Sequence, residues 1–383
     1  MEVDQDPIRS FLLEEGERVP EKLQILFLDF ETLWERRLWH QLTEKLLEFF
    51  ADPESAPHRL AIYEKFVLSF WKKINALKLV SLALSASSQI QDNNDVLKFL
   101  TAVKEKVNEP DSQDAYVYAT VETARVKQLL GDLDGSRLAL NETEKILDRF
   151  DSIEPVVHAA FYRINADYYL HKNEYTDYYR NALLYLACIS VNDLTTEDRI
   201  RRAHDLAIAA LLSKDIYNFG ELLLHPILDS LKETDYAWLR ELLFAFNTGD
   251  LRKYRGLDAY LSKEPQLAAQ ERFLKEKIYL SALTETVARR PPHERTLSFT
   301  TIQHETTVNP DEVELLLMRA LSLKLIKGTI DQVAEVVRVT WVQPKVLDKD
   351  QIENMRLRLN EWNEGVEKLT SRVHSRMEVE SVF

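Results

Sequence analysis

One local device most limits how this chain can fold: a tight polar turn that runs straight into an apolar-periodic helix. It occurs at Gly131-Asp132-Leu133, and in the same sense at Asn173-Glu174-Tyr175, Asn218-Phe219-Gly220 and Gly249-Asp250-Leu251. The spacing drifts around roughly forty residues, the range of helix-pair repeats. A lone helix pair cannot bury its own apolar face, so such repeats stack on one another as a solenoid. Pro53, Pro57, Pro110, Pro155 and Pro265 fall between the periodic segments, where a residue without an N–H costs least. Residues 38–50 place Glu44, Lys45 and Glu48 opposite an apolar face, and residues 60–84 form a longer apolar run that includes Phe66, Phe70 and Trp71. Glycine points the same way. With 8 in 383 residues, the chain is poor in the residue that phosphate-cradling loops and tightly turned β folds need.

The pattern changes after Arg290. Pro291-Pro292 follows a helix over 275–290, Leu297-Ser298-Phe299 is a strand-like step, and a short helix comes next. Asn309-Pro310-Asp311-Glu312 reads as a helix start, with Asn as N-cap, Pro in the first turn and acids at the positive helix end. That helix puts Val313, Leu316, Leu317, Ala320 and Leu321 on one face. Two strands follow, one over 326–330 and one in which Val337, Val339 and Trp341 alternate with Arg338 and Thr340. Helix, strand, helix, helix and hairpin is the order of a winged helix. Beyond it, Ile352, Met355, Leu359, Trp362, Val366, Leu369 and Val373 step by three and four in turn, which is a heptad seam. No second heptad segment follows, so this one is expected to meet helices from other chains.

The chemistry-bearing residues form no constellation. His293-Glu294 and His304-Glu305 lack a second histidine at the spacing of a zinc-binding helix, and there is no Gly-x-Ser-x-Gly or phosphate loop. Cys188, the only cysteine, lies in an apolar helix and reads as a buried structural thiol; its solitude fits a reducing compartment. Tyr168, Tyr169, Tyr175, Tyr178 and Tyr179 read as packing between repeat helices. A formal charge of -14 and the acids at 311, 312 and 314 disfavour phosphate. The N-terminus lacks the basic and apolar regions of a signal peptide, and the apolar run near residues 77–84 is short and holds Lys78. No enzyme activity, cofactor, metal, nucleic acid or membrane contact is expected, and the expected location is the cytoplasm and nucleus.

A mainly α helical-repeat solenoid ending in a winged helix resembles the PCI module, found in the proteasome lid, the COP9 signalosome and a translation-initiation complex. The resemblance is most specific to PCI lid subunits of the proteasome regulatory particle. It rests on Leu38-Trp39-His40-Gln41-Leu42-Thr43, on Asn218-Phe219-Gly220-Glu221-Leu222-Leu223-Leu224-His225-Pro226-Ile227-Leu228, on Ala245-Phe246-Asn247-Thr248-Gly249-Asp250, and on Trp341-Val342-Gln343-Pro344-Lys345-Val346-Leu347-Asp348. It implies four parts: N-terminal helical repeats over 1–175, the helical part of the PCI module over 176–290, the winged helix over 291–344, and a C-terminal bundle helix and tail over 345–383. It also implies a non-catalytic scaffold supporting degradation of ubiquitinated proteins. Such subunits pack side by side through their winged helices, gather their C-terminal helices into one bundle, and include one that lies near the ubiquitin receptor and the deubiquitinase pair. The expected contacts are the seam from Ile352 to Val373 and the wing at Val337 and Val339. The alternatives are a PCI subunit of the signalosome or initiation complex and, from another class, a nucleic-acid-binding winged-helix protein.

Overall fold

The structure, a computed structural model, describes residues 7–149, 154–291, 294–344 and 349–380. It contains two compact units, divided between Asp193 and Leu194.

The first unit is all helical: α1 (Pro7–Arg18), α2 (Glu21–Glu35), α3 (Trp39–Ala51), α4 (Arg59–Lys65), α5 (Ala76–Ser87), α6 (Asn93–Val107), α7 (Gln113–Leu129), α8 (Leu133–Leu147), α9 (Pro155–His171) and α10 (Tyr175–Cys188). Sequence neighbours pack on one another, as α1 on α2, α5 on α6, α7 on α8 and α9 on α10, and α7 also packs on α9. One apolar cluster runs from Leu12 to Tyr168 through the unit. Its N-terminal end is aromatic: Trp34 meets Trp39 edge-on at 5.3 Å between centroids, and Phe70 stacks on Trp39 at 5.4 Å. Tyr168, Tyr178 and Tyr179 are buried, as packing tyrosines should be. At the first repeat turn Asp132 caps α8 by accepting the Gly135 N–H at 2.9 Å. At the second, Asn173 takes the left-handed conformation with φ 58°, which Asn tolerates better than most side chains.

The apolar run over 60–84 is not one helix. It breaks after α4 into short 3₁₀ turns at Val67–Ser69 and Trp71–Lys73 before α5 begins. No proline or glycine marks the break. Its signal is Asn75, whose side chain accepts the N–H groups of Leu77 and Lys78 at 2.9 and 3.4 Å and starts α5 afresh.

The second unit comprises α11 (Thr196–Leu212), α12 (Gly220–Leu224), α13 (Ala237–Thr248), α14 (Leu251–Leu261), α15 (Pro265–Ala268), α16 (Glu271–Ala288), β1 (Thr296–Ser298), α17 (Phe299–Thr306), α18 (Pro310–Ser322), β2 (Ile326–Asp331), β3 (Val336–Val342) and α19 (Lys349–Glu380). The turn at Gly249-Asp250 behaves as the repeat pattern requires. Gly249 adopts φ 67°, and a Cβ there would lie 2.5 Å from the Ala282 Cα, so glycine is needed both for the turn and for the approach of α13 to α16. Asp250 then caps α14 through the N–H groups of Arg252 and Lys253. Asn218-Phe219-Gly220 departs from the pattern: no helix leads directly into it, and α12 is only five residues long.

Lys277 of α16 explains how that irregular stretch is held. Its side chain is buried, and the ammonium donates to the carbonyls of Ala210, Leu211 and Ser213 at 2.8, 3.0 and 2.7 Å. These are orphan acceptors at the end of α11. The rings of Tyr217, Phe219 and Phe273 surround the charge at 5.4, 5.2 and 5.7 Å. Burial pushes the pKa well below the ordinary lysine range, against a smaller opposing pull from Asp215. Among the described residues no helix is long and apolar enough to cross a membrane.

Candidate partner-binding site

The winged helix packs α17 and α18 against a three-stranded antiparallel sheet of order β1-β3-β2. Val313, Leu316, Leu317 and Ala320 of α18 are buried, with Leu321 partly buried beside them. Asn309 occupies the N-cap position, but its side chain caps no backbone N–H; its amide instead donates to the Glu312 carboxylate at 3.4 Å. The outward face of α18 carries exposed Asp311 and Glu312 in its first turn, then exposed Leu315 and Met318.

The wing corrects the expected contact residues. Val337 and Val339 lie on β3, the central strand, where β1 and β2 together cover both edges at Val337. Their side chains are buried, at 0% and 5% exposure, inside the winged-helix core. A partner reaches neither of them. The free edges belong to β1 and β2. The alternation also breaks before Trp341. Lys327 pairs with Trp341 but Gly328 pairs with Val339, leaving Thr340 as a bulge residue. One extra residue reverses the faces, so Val342 packs inward and Trp341 turns to solvent beneath the Lys327 ammonium at 4.9 Å. Gly328 permits the bulge, since a Cβ there would lie 2.2 Å from the Arg338 carbonyl oxygen. At the hairpin tip Val333 is 98% exposed, a feature that no periodicity announces.

The C-terminal helix keeps its apolar side chains in solvent. α19 spans 32 residues, and Ile352, Met355, Leu359, Trp362, Val366 and Leu369 are exposed at 54, 50, 61, 69, 38 and 61%. Val373 continues the seam in sequence, but its side chain lies outside the described residues. Every described side chain from Ile352 to Ser371 is exposed. The helix surface is laced instead by local polar pairs, Arg356 to Glu353 at 2.9 Å and Asn363 to Glu367 at 3.0 Å.

The described side chains assemble no cluster of three or more His, Cys, Asp or Glu suited to a metal ion. His304 and Glu305 are exposed on α17, while His293 lies outside the described residues. Cys188 is half-buried rather than buried, because it ends α10, and burial pushes its thiol pKa up.

Three family models match in series along the chain: PSD13 N-terminal repeats over 26–243, the PCI domain over 252–341, and the Rpn9 C-terminal helix over 345–377. A protein of Schizosaccharomyces pombe described as "Probable 26S proteasome regulatory subunit rpn9" is 43% identical over 364 residues, spanning 95% of each chain. The chain belongs to the Rpn9/PSD13 family of 26S proteasome regulatory subunits. Two further relatives agree with this membership. The 26S proteasome regulatory subunit RPN9 of Saccharomyces cerevisiae is 41% identical over 92% of this chain and 93% of its own length. The 26S proteasome non-ATPase regulatory subunit 13 homolog A of Arabidopsis thaliana is 38% identical over 87% of this chain and 89% of its own. The first model runs from α2 into α13, the second from α14 through β3, and the third over most of α19. As a member of the Rpn9/PSD13 family the chain is thus matched from its repeats to its last helix.

Proposed function

We infer that this chain is a non-catalytic scaffold subunit of the 26S proteasome regulatory-particle lid, anchored by α19 and steadied by its winged helix. Family membership supports the complex; the exposed seam of α19 carries the anchoring. Monomers rarely leave so long an apolar stripe in water. Burying each such side chain contributes roughly 1.5–3 kcal/mol, so several together outweigh the cost of fixing the helix against its partners. In the wing, the free edge of β2 and the tip at Val333 replace Val337 and Val339 as the surface offered to a neighbouring subunit. On this reading the subunit works in the cytoplasm and nucleus, near the ubiquitin receptor and the deubiquitinase subunits. The carboxylates of Asp311 and Glu312, exposed where a DNA-reading helix needs basic or neutral donors, speak against the nucleic-acid alternative.

The test is a chain truncated after residue 348, alongside the double substitution L359E/W362E in the full chain. Both are expected to melt as the wild type does and to lose most co-purification with regulatory-particle subunits. Full incorporation of either variant contradicts the anchoring role. A collapsed melt of L359E/W362E means that α19 packs on its own chain.

A further inference from the structure

The bulge in the hairpin decides what the outer face of the wing sheet displays. Regular alternation along β3 would bury Trp341 on the side of Val337 and Val339. The extra residue, Thr340, turns the indole outward instead, and Gly328 is the glycine that lets the strands pass there. Bulges commonly re-aim a side chain for a purpose. The core gains nothing from this one, since it loses a large aromatic ring to water.

The neighbours of Trp341 on that face are cationic. Lys327 pairs with Trp341, and Arg338 pairs with Thr329 on one side and Thr296 on the other. All five side chains are exposed. The Lys327 ammonium lies 4.9 Å from the centre of the Trp341 ring. Among the described residues, no carboxylate pairs with Lys327 or Arg338. In a chain of formal charge -14, two unpaired cations on one sheet face stand out. The acids of the hairpin, Asp331 and Glu335, sit at its tip, where the Asp331 carboxylate accepts the Ala334 N–H at 3.0 Å.

We propose that the outer face of the wing sheet is a docking site for an extended acidic segment of a partner protein. Two glutamates one residue apart in that segment place their carboxylates on Arg338 and Lys327, and the stem of the second lies on Trp341. The spacing carries this assignment. Arg338 and Lys327 are diagonal neighbours across β3 and β2, a separation of about 7–8 Å. Side chains two apart on an extended chain point the same way and stand about 7 Å apart. The Arg338 guanidinium offers a carboxylate a two-pronged contact, flanked by the hydroxyls of Thr296 and Thr329 as further donors. A nucleic acid suits the face less well. Two cations cover little of a polyanion, and the rest of this acidic chain repels it. A short segment brings only the charge that the face can pair. The site lies apart from the α19 seam and from the free edge of β2, and does not depend on the anchoring role of α19.

The test uses the purified full-length chain and fluorescein-labelled peptides, read by anisotropy. One peptide holds Glu-Ser-Glu between Gly-Ser spacers. Its isomer holds Glu-Glu-Ser, which aims the two acids to opposite sides of an extended chain, and its neutral counterpart holds Gln-Ser-Gln. A labelled oligouridylate of equal length is the fourth probe. The Glu-Ser-Glu peptide should bind saturably, about threefold more tightly than the isomer and about tenfold more tightly than the neutral peptide. The substitutions R338E/K327E should weaken it by about tenfold and W341A by about threefold, with melts unchanged because all three side chains are exposed. The comparison of peptides uses the wild-type chain alone, so it stands even if a variant melts early. The proposal is overturned by the absence of saturable binding, by equal binding of the Glu-Ser-Glu and Gln-Ser-Gln peptides, or by R338E/K327E binding as wild type does. An oligouridylate that binds more tightly than the Glu-Ser-Glu peptide overturns it too, and assigns the face to nucleic acid.

Discussion

The winged helix and α19 both carry regular apolar periodicity and end in opposite states. In α18 and β3 the periodic side chains Val313, Leu317, Val337 and Val339 are buried against each other. In α19 the periodic side chains from Ile352 to Leu369 all face solvent. Both patterns are equally clear in sequence; what differs is whether the chain supplies the opposing surface. The sheet, α17 and α18 close with α16 around a core of fifteen buried side chains, whereas a single heptad helix has no second helix to interdigitate with. An unmatched period is thus a sign of assembly, and a matched one a sign of folding.

Substitutions should separate the two regions cleanly. The largest effect is expected for V337D, which puts a carboxylate in the winged-helix core. It should cost on the order of 4 kcal/mol or more and unfold that region; a native melt for V337D would erase the contrast with W362E. K277M should follow. It strands three carbonyls at the end of α11, at about 1–3 kcal/mol for each group left unsatisfied, offset in part by the apolar side chain, and chemical denaturation should show the second unit destabilised first. G249A, which needs a left-handed backbone and a methyl against Ala282, should cost about 2 kcal/mol. V333D at the wing tip touches nothing within the chain, so its melt should match wild type while incorporation falls by a few fold. Equal incorporation would remove the tip from the contact surface.

The smallest effect is a pH dependence at His204. Its ring nitrogens lie 3.3 Å from the Asp205 carboxylate and 3.2 Å from the Glu264 carboxylate, and Tyr236 packs on the ring at 4.5 Å. Burial alone would lower its pKa, but the two carboxylate hydrogen bonds outweigh it and the pKa is raised. The imidazolium therefore stabilises the fold fully below the unfolded value of about 6.5, and that contribution disappears as pH rises through the folded value. H204Q should flatten the stability profile across this window, read by denaturant titration at a series of pH values. An unchanged slope would remove His204 as its source.

Much of this organisation is legible in the sequence for a simple reason. Helix caps, turn residues and heptad spacing are local, and they hold whatever lies beyond them. Asp132 and Asp250 cap the helices their turns announce, and the seam residues fall on one continuous helix, α19. The misreadings arise where long-range packing decides. Trp341 leaves the inward face because one bulge residue, Thr340, changes the parity of β3. Val337 and Val339 sit on a central strand because β1 arrives from the far side of α17 and α18, which a hairpin pattern does not reveal. Lys277 looks like any helical lysine until α11 and the Tyr217 and Phe219 rings close around it. The break between α4 and α5 was announced only by Asn75, inside an otherwise continuous apolar run.

Amide hydrogen exchange, compared between the free chain and the assembled regulatory particle, tests the contrast most directly. In the free chain the amides around Val337 and Val339 should be protected, while those between Ile352 and Leu369 exchange rapidly, since an isolated exposed helix opens readily. In the assembled particle the first set should be unchanged and the second strongly protected. Equal protection of residues 352–369 in both states, whether high or low, would contradict a helix that is completed only by its partners.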